Sequence, residues 1–361
     1  MNLLDLFTPA AIAAQWEEVA SNQIPYIGAA MFPARKKAGL DLKWIKGSKG
    51  LPVSLMPSAF DAKATFRDRI NLAKLETEMP FFREGFKVKE RDRQEILRVQ
   101  EANDPYLNEV LGRIYDDANE LLAGANVVPE RMIMQLLFPT NGQPGIVIKA
   151  NGVDYTYAYD ADGSWYNSGT GGNYKALAST ALWTAPTTAD PFKDFKDRAD
   201  FSRAKTGTAP AYAVMNSYTF GLLAATNAVK NRFLSTSGIA LGFVSDADVK
   251  RVMLDATGIE IIVYDKQYKN ESGTAAKFVP DGFVAFVPEG ALGSTWYGTT
   301  PEEADLLGRA SDAQVAIVNT GVAVTQIVDS HPVNINTFAS EIVLPSYERM
   351  DEVTLLKVVN P

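Results

Sequence analysis

The chain has no cysteine, which excludes disulfides, thiol nucleophiles and thiolate metal sites together. Histidine is nearly as scarce. The single copy, His331, stands before Pro332 in a polar segment and has no evident partner for general-base or ligand work. No apolar run approaches the ~18 residues of a membrane span. Basic residues are outnumbered, 35 Lys and Arg against 43 Asp and Glu. The resulting net charge of −8 argues against a protein whose main task is gripping nucleic acid, since phosphate binding needs a cationic surplus. A surface that merely lies beside nucleic acid stays open. The opening MNLLDLFTPAAIAAQW imitates a signal peptide, with Ala11-Ile12-Ala13 as the cleavage-like triplet. It lacks a basic n-region, and Asp5 and Pro9 break its apolar run, so secretion is not expected.

What is present is an ordinary globular composition, 46% apolar and 22% charged over 361 residues. That is enough for two domains, or for one domain with a large excursion. The excursion is visible between Arg35 and Arg98, where apolar residues alternate with charges of both signs. Period-two alternation predicts strands with one apolar face, and a two-stranded hairpin of this kind is marginal unless something covers that face. The cover must come from elsewhere in the chain or from a neighbouring copy. The start of the tract carries Arg35, Lys36, Lys37, Lys43, Lys46 and Lys49 against Asp41 alone. This is either a solvated loop or a basic strip that meets an acidic neighbour.

Elsewhere the patterns are conventional. Thr8-Pro9 reads as a helix start, with Ile12, Trp16 and Val19 at helical spacing, and Pro25 and Pro33 make the following stretch extended. A helical pattern runs from Lys89 to Ala123, with a break expected at Asn103-Asp104-Pro105 and an end at Gly124 and Asn126. Pro129 then starts a second, short helix that stops at Pro139. GIVIKANGVDYTYAYD reads as a hairpin around Asn151-Gly152. Residues 160–190, rich in Gly, Ser, Thr and Ala, read as a linker, and PFKDFKDRADFSRA as a charged helix. Residues 211–257 look like α/β material, with Asp246 capping a helix that ends at Gly258 before the buried strand IEIIVYD. FVPDGFVAFVP reads as a second hairpin or two strands around Asp281-Gly282, and the C-terminal stretch as strands tied into a sheet.

None of these segments assembles a reaction. Asp160-Ala161-Asp162-Gly163-Ser164 looks like a calcium loop, but its Gly comes too early and no distal Glu follows. Gly169-Thr170-Gly171-Gly172 lacks the Lys-Ser/Thr of a phosphate loop. Both read as turns or loops, so no metal, cofactor or enzymatic activity is expected. Trp165, Tyr166, Trp183 and Trp296 could form a platform for a sugar- or surface-binding module, although they are scattered between unlike segments.

The order of the parts resembles the major capsid protein E family of tailed bacteriophages, the lambda-type members of the Hong Kong 97 capsid fold. The matching residues are LDLKWIKGSKGLPV, AKATFRDRINLAKLETEMPFFREGFKVKERD, the block GIEIIVYDKQY…GTAAKFVPDGFVAFVPEGALGSTWYGTTPEE and the closing SEIVLPSYERMDEVTLLKV. The resemblance implies an α+β fold with an N-arm at 1–45, an extended β-hairpin loop at 46–87 and a spine helix at 89–123. It implies a peripheral domain at 124–204 plus 331–361 and an axial domain at 205–330. It further implies hexamers and pentamers of this chain, closing an icosahedral shell around double-stranded DNA in the virion, assembled in the bacterial host cytoplasm. The DNA would be met by non-specific proximity. A separate scaffolding protein, a portal and a decoration protein would be the other partners; scaffolding is expected to be separate because the chain opens directly on its arm. Within the shell, Lys43, Lys46, Lys49, Arg67, Arg69 and Arg83 would meet carboxylates of neighbours. Trp44, Phe66, Phe81 and Phe82 would be the energetic anchors, since buried aromatics usually dominate an interface. Some relatives join subunits by a Lys–Asn bond promoted by Glu; Lys46 or Lys49 with Asn334 or Asn336 and Glu341 would be that set, which the sequence leaves open. An encapsulin-like compartment of the same fold is the rival reading.

Overall fold

Proline and glycine punctuation sets many element boundaries in the computed structural model. It describes residues 8–20, 26–46, 73–88, 94, 98, 106–150, 152–166, 172–237, 245–308, 314–330 and 333–360. Helix α1 (Pro9–Ala20) and the short α2 (Ile27–Met31) precede strands β1 (Ala34–Lys36), β2 (Asp41–Lys46), β3 (Ala73–Glu78) and β4 (Phe81–Val88). Helix α3 (Tyr106–Leu137) is followed by β5 (Gly145–Ala150), β6 (Val153–Ala158) and β7 (Tyr174–Ala176). Next come α4 (Pro191–Thr206), β8 (Tyr212–Met215), α5 (Ser217–Ala225), α6 (Asn227–Ser237), α7 (Asp246–Thr257) and β9 (Glu260–Val263). Strands β10 (Gln267–Lys269), β11 (Ala275–Lys277), β12 (Phe283–Val287) and β13 (Ser294–Tyr297) lead to helix α8 (Pro301–Gly308). The chain finishes with β14 (Gln314–Val318), β15 (Val322–Ser330), β16 (Val333–Ser346) and β17 (Thr354–Lys357). The fold is α+β.

Two compact units form. The first comprises Met1–Lys43, Glu76–Met132 and Gly293–Ser346. Its sheet runs β1-β13-β16-β15-β14, and β4 also pairs with β16. The 14-residue β16 organises it, pairing Val343–Ser346 with β13, Ile335–Ile342 with β4 and Val333–Glu341 with β15. One face of this sheet is closed by Ile12 and Trp16 of α1 and Ala118 and Leu122 of α3, packed on Val318, Val322, Val324 and Ala339. The four-residue spacing in each helix is what aligns those side chains.

The second unit comprises Trp44–Leu75, Ile133–Leu292 and Tyr347–Pro361. Its sheet runs β7-β17-β12-β8-β9, with β12 buried along its whole length. Helices α4 to α7 cover it through Phe195, Phe220, Leu223, Val249 and Met253. Asp190 caps α4 and Gly207 ends it in the left-handed region at φ 80°. Helix α7 ends at Gly258 as expected, but its cap is Ser245 rather than Asp246. Strand β9 is an edge, with only Ile261 fully buried. The hairpin β5–β6 has the expected register, Ala150 opposite Val153.

Several expectations fail for identifiable reasons. Helix α3 does not stop at Gly124 or restart at Pro129; it continues to Leu137. Burial of Met132, Ile133, Leu136 and Leu137 outweighs about 3 kcal/mol for an internal proline, and Asn126 Nδ2 donates to the Leu122 carbonyl at 3.0 Å. The break expected at residues 103–105 lies outside the described residues. The stretch after Pro25 is not wholly extended, because α2 forms and the Glu130 carboxylate accepts from the Gly28 amide at 3.0 Å. Of the 160–190 linker, residues 160–166 and 172–190 are pinned instead. Trp165, with no exposed surface, donates its indole N–H to the Met350 and Val353 carbonyls at 3.0 and 3.1 Å. Asn173 Nδ2 donates to the Asp351 and Val353 carbonyls, and Trp183 Nε1 to Asp194 at 2.9 Å. Small residues dominate that segment, but Trp165, Asn173 and Trp183 each tie it to the rest of the unit. FVPDGFVAFVP is no hairpin: Phe278 and Val279 are buried outside any strand and only Phe283–Val287 joins the sheet, while β10–β11 supplies the hairpin just before it.

Candidate intersubunit surface

The residues expected to face neighbours all belong to the charged tract, and the structure divides them. Strand β4 carries Phe81 and Phe82, half-buried, and Arg83, exposed. It is a full member of the first unit's sheet, paired with β16 over eight positions from Phe81–Ile342 to Val88–Ile335. Met79 and Val88 at its ends are buried. This part of the tract therefore takes its cover from its own chain rather than from another copy. Gly85 is required by that fit, since the Phe338 ring lies where a Cβ would stand.

Arg83 was expected to meet a neighbour's carboxylate. It forms an ion pair with Glu302 of its own chain and lies over the Phe338 ring, 5.3 Å from its centroid. Glu302 is only 6% exposed, and its other oxygen accepts from Ser340 Oγ at 2.9 Å. The basic strip is likewise partly spoken for. Lys36 Nζ donates to both Glu303 oxygens at 2.6 and 2.7 Å, Lys37 Nζ to the Asp41 carbonyl at 2.6 Å, and Arg35 sits over Trp296. Glu302 and Glu303 form the first turn of α8, where Thr300 Oγ1 accepts from the Glu303 amide. Acidic residues there also complement the helix dipole. The signal that could have found them was Thr300-Pro301-Glu302-Glu303, a helix start set to receive cations.

On β2, which pairs with β3, Lys43 is exposed while Trp44 is 8% exposed and its ring packs at a tilt against Tyr159, centroids 5.3 Å apart. Its own subunit thus covers the Trp44 ring. Lys49, Phe66, Arg67 and Arg69, and the side chain of Lys46, lie outside the described residues. So does His331. Asn334 and Asn336 are buried on β16, and burial holds the Glu341 carboxyl, on the same strand, well above the usual carboxylate range.

The other candidate sites resolve as structure. Both oxygens of Asp160 accept backbone amides, from Trp165 and Tyr166 at 3.0 Å each, so the calcium-like loop is a turn. Among the described residues, no group of three or more His, Cys, Asp or Glu could hold a metal ion, and no helix is long and apolar enough to cross a membrane. Trp165 and Trp183 are core residues, which dismantles the aromatic platform of a sugar-binding module.

Comparison with known proteins is consistent with this architecture. A family model described as phage major capsid protein E matches residues 8–358. A crystal structure described as the capsid protein of a prophage in E. coli CFT073 is 13% identical, with a TM-score of 0.59 over 98% of this chain and 99% of that one. A phage-related protein from Bordetella bronchiseptica RB50 is 15% identical, with a TM-score of 0.54 over 95% and 96%. The mature capsid of bacteriophage PhiM1 gives 11% identity and a TM-score of 0.51 over 94% and 89%. At these identities the likeness is one of fold. No curated protein matches the chain.

Proposed function

The chain belongs to the phage major capsid protein E family and is a shell-forming capsid protein; from that premise we propose that it assembles as hexamers and pentamers into the icosahedral shell around the DNA of a tailed phage. The observation that carries the assignment is the family match along residues 8–358. The role is structural rather than catalytic. Assembly takes place in the host cytoplasm, with a separate scaffolding protein, a portal and a decoration protein as partners.

We assign the first unit's sheet to the peripheral domain, with α3 as the spine, and the second unit's sheet to the axial domain. The strand pairings support grouping residues 133–204 and 347–361 with the axial domain instead of the peripheral one, and residues 293–330 with the peripheral domain instead of the axial one. Contact with neighbours then falls to the exposed and half-buried members of the tract, Lys43, Phe81 and Phe82, together with Lys46, Lys49, Phe66, Arg67 and Arg69.

Electron microscopy of the purified protein tests the shell directly: closed particles are expected, and a monodisperse monomer at high concentration would overturn it. DNA-filled particles with a portal would separate a virion from an encapsulin-like compartment, which would hold cargo enzymes. Replacing residues 47–72 by a short turn between β2 and β3 tests the arm. The variant should keep the far-ultraviolet circular dichroism of the two units yet form no closed shells; normal shells from it would defeat the arm's role.

A further inference from the structure

Strand β16 carries Glu341 within the first unit's sheet, opposite Val322 of β15 on one side and Phe82 of β4 on the other. The residue is 1% exposed, and neither carboxyl oxygen has a hydrogen-bond partner among the described residues. Alternation along β16 puts Glu341 on the same face as Ala339 and Val343. That is the face which α1 and α3 close with Ile12, Trp16, Ala118 and Leu122. Buried charges are ordinarily paired, because an isolated carboxylate loses its hydration with nothing in return. Glu302, on the opposite face, has that pairing from Arg83 and Ser340. Glu341 does not.

Strand β13 presents Tyr297, 9% exposed, whose phenol is raised first by its own burial and then by Glu341. Strand β15 presents Val322 and Val324, and β4 presents Phe82, with the exposed Glu84 next along that face, opposite Ala339. Among the described side chains, the helices present Ile12, Trp16, Ala118 and Leu122, of which Trp16 alone has a polar group, a buried indole N–H without a partner, and the charged Asp117 and Glu120 of α3 are exposed. None of these is a cation.

We propose that Glu341 is a proton lock on this sheet: the strands and helices close over it only as the neutral acid, and its ionisation at rising pH loosens them. The direction of its titration agrees, since burial raises this carboxyl well above the ordinary value of 4.5. The unfolded chain surrenders the proton near that ordinary value while the folded chain keeps it. Stability is therefore greatest below it, and falls as pH rises until the folded group itself ionises. The lock belongs to the single subunit and does not depend on the shell reading.

The test is denaturant unfolding of the full-length, unassembled chain between about pH 5 and about pH 9, comparing wild type with Glu341→Gln. Relative to the variant, wild type should lose up to about tenfold in folding equilibrium constant per pH unit at the start of that window. Parallel pH profiles, or a wild type that gains on the variant as pH rises, would overturn the proposal. Should Glu341→Gln fail to fold, the wild type alone decides. Its unfolding in weak buffer, followed from about pH 6 upward, should release protons within the window, and no release, or uptake, throughout it would refute the lock.

Discussion

Arg83 spends its charge inside its own subunit, on a carboxylate that has almost no contact with water. Removing it should leave the Glu302 charge with Ser340 alone. We expect Arg83→Ala to destabilise the subunit by about 1–3 kcal/mol in urea unfolding, the range for orphaning a buried charged acceptor, discounted because Arg83 itself is 45% exposed. A variant as stable as wild type would mean that Glu302 does not depend on Arg83 within the single subunit. The strand character of the tract was legible in sequence, but not its exposure: Phe81 and Phe82 are both half-buried and Arg83, Glu84 and Gly85 are exposed in succession, so the period-two pattern is not strict on β4. Their partners were not, because Glu302 lies more than two hundred residues downstream and nothing local links it to Arg83. Trp165 shows the opposite failure. It sits in a Gly- and Ser-rich segment, yet its indole meets two carbonyls near the C-terminus, a contact set only by tertiary structure.

Element boundaries follow local chemistry where a cap or turn is used, and depart from it where burial outweighs it. The Asn-Gly hairpin, the Asp190-Pro191 start of α4 and the Gly258 stop of α7 each satisfy backbone groups locally, so they could be read in advance. Helix α3 could not, since Gly124 and Pro129 are penalties that its buried apolar positions absorb. One consequence is measurable. Gly124 is helical and exposed, and a Cβ there would meet nothing within 4 Å. Gly124→Ala should therefore stabilise the chain by about 0.5–1 kcal/mol in chemical denaturation, without altering assembly. A loss of stability would mean that this turn of α3 needs its glycine for a contact outside the single chain.

At the scale of the molecule, charge and topology point the same way. A shell wall that clung to its contents would hinder packing and ejection, and a net charge of −8 disfavours clinging. Fluorescence anisotropy with duplex DNA at physiological salt should accordingly show only weak, non-specific binding by the subunit; tight, steeply salt-dependent binding would contradict a passive container. The absence of cysteine, the acidic balance, the Asn-Gly hairpin and the Gly258 helix stop were settled by composition and local pattern, because each depends on a residue and its near neighbours. Which strand covers β4, which acid receives Arg83, how α3 survives its proline and why Glu341 has no partner among the described residues were decided by tertiary structure. Apart from the proline, those outcomes hang on β16, which gathers β4, β13 and β15 from distant parts of the chain, and long-range pairing of that kind leaves no periodic trace in the order of residues.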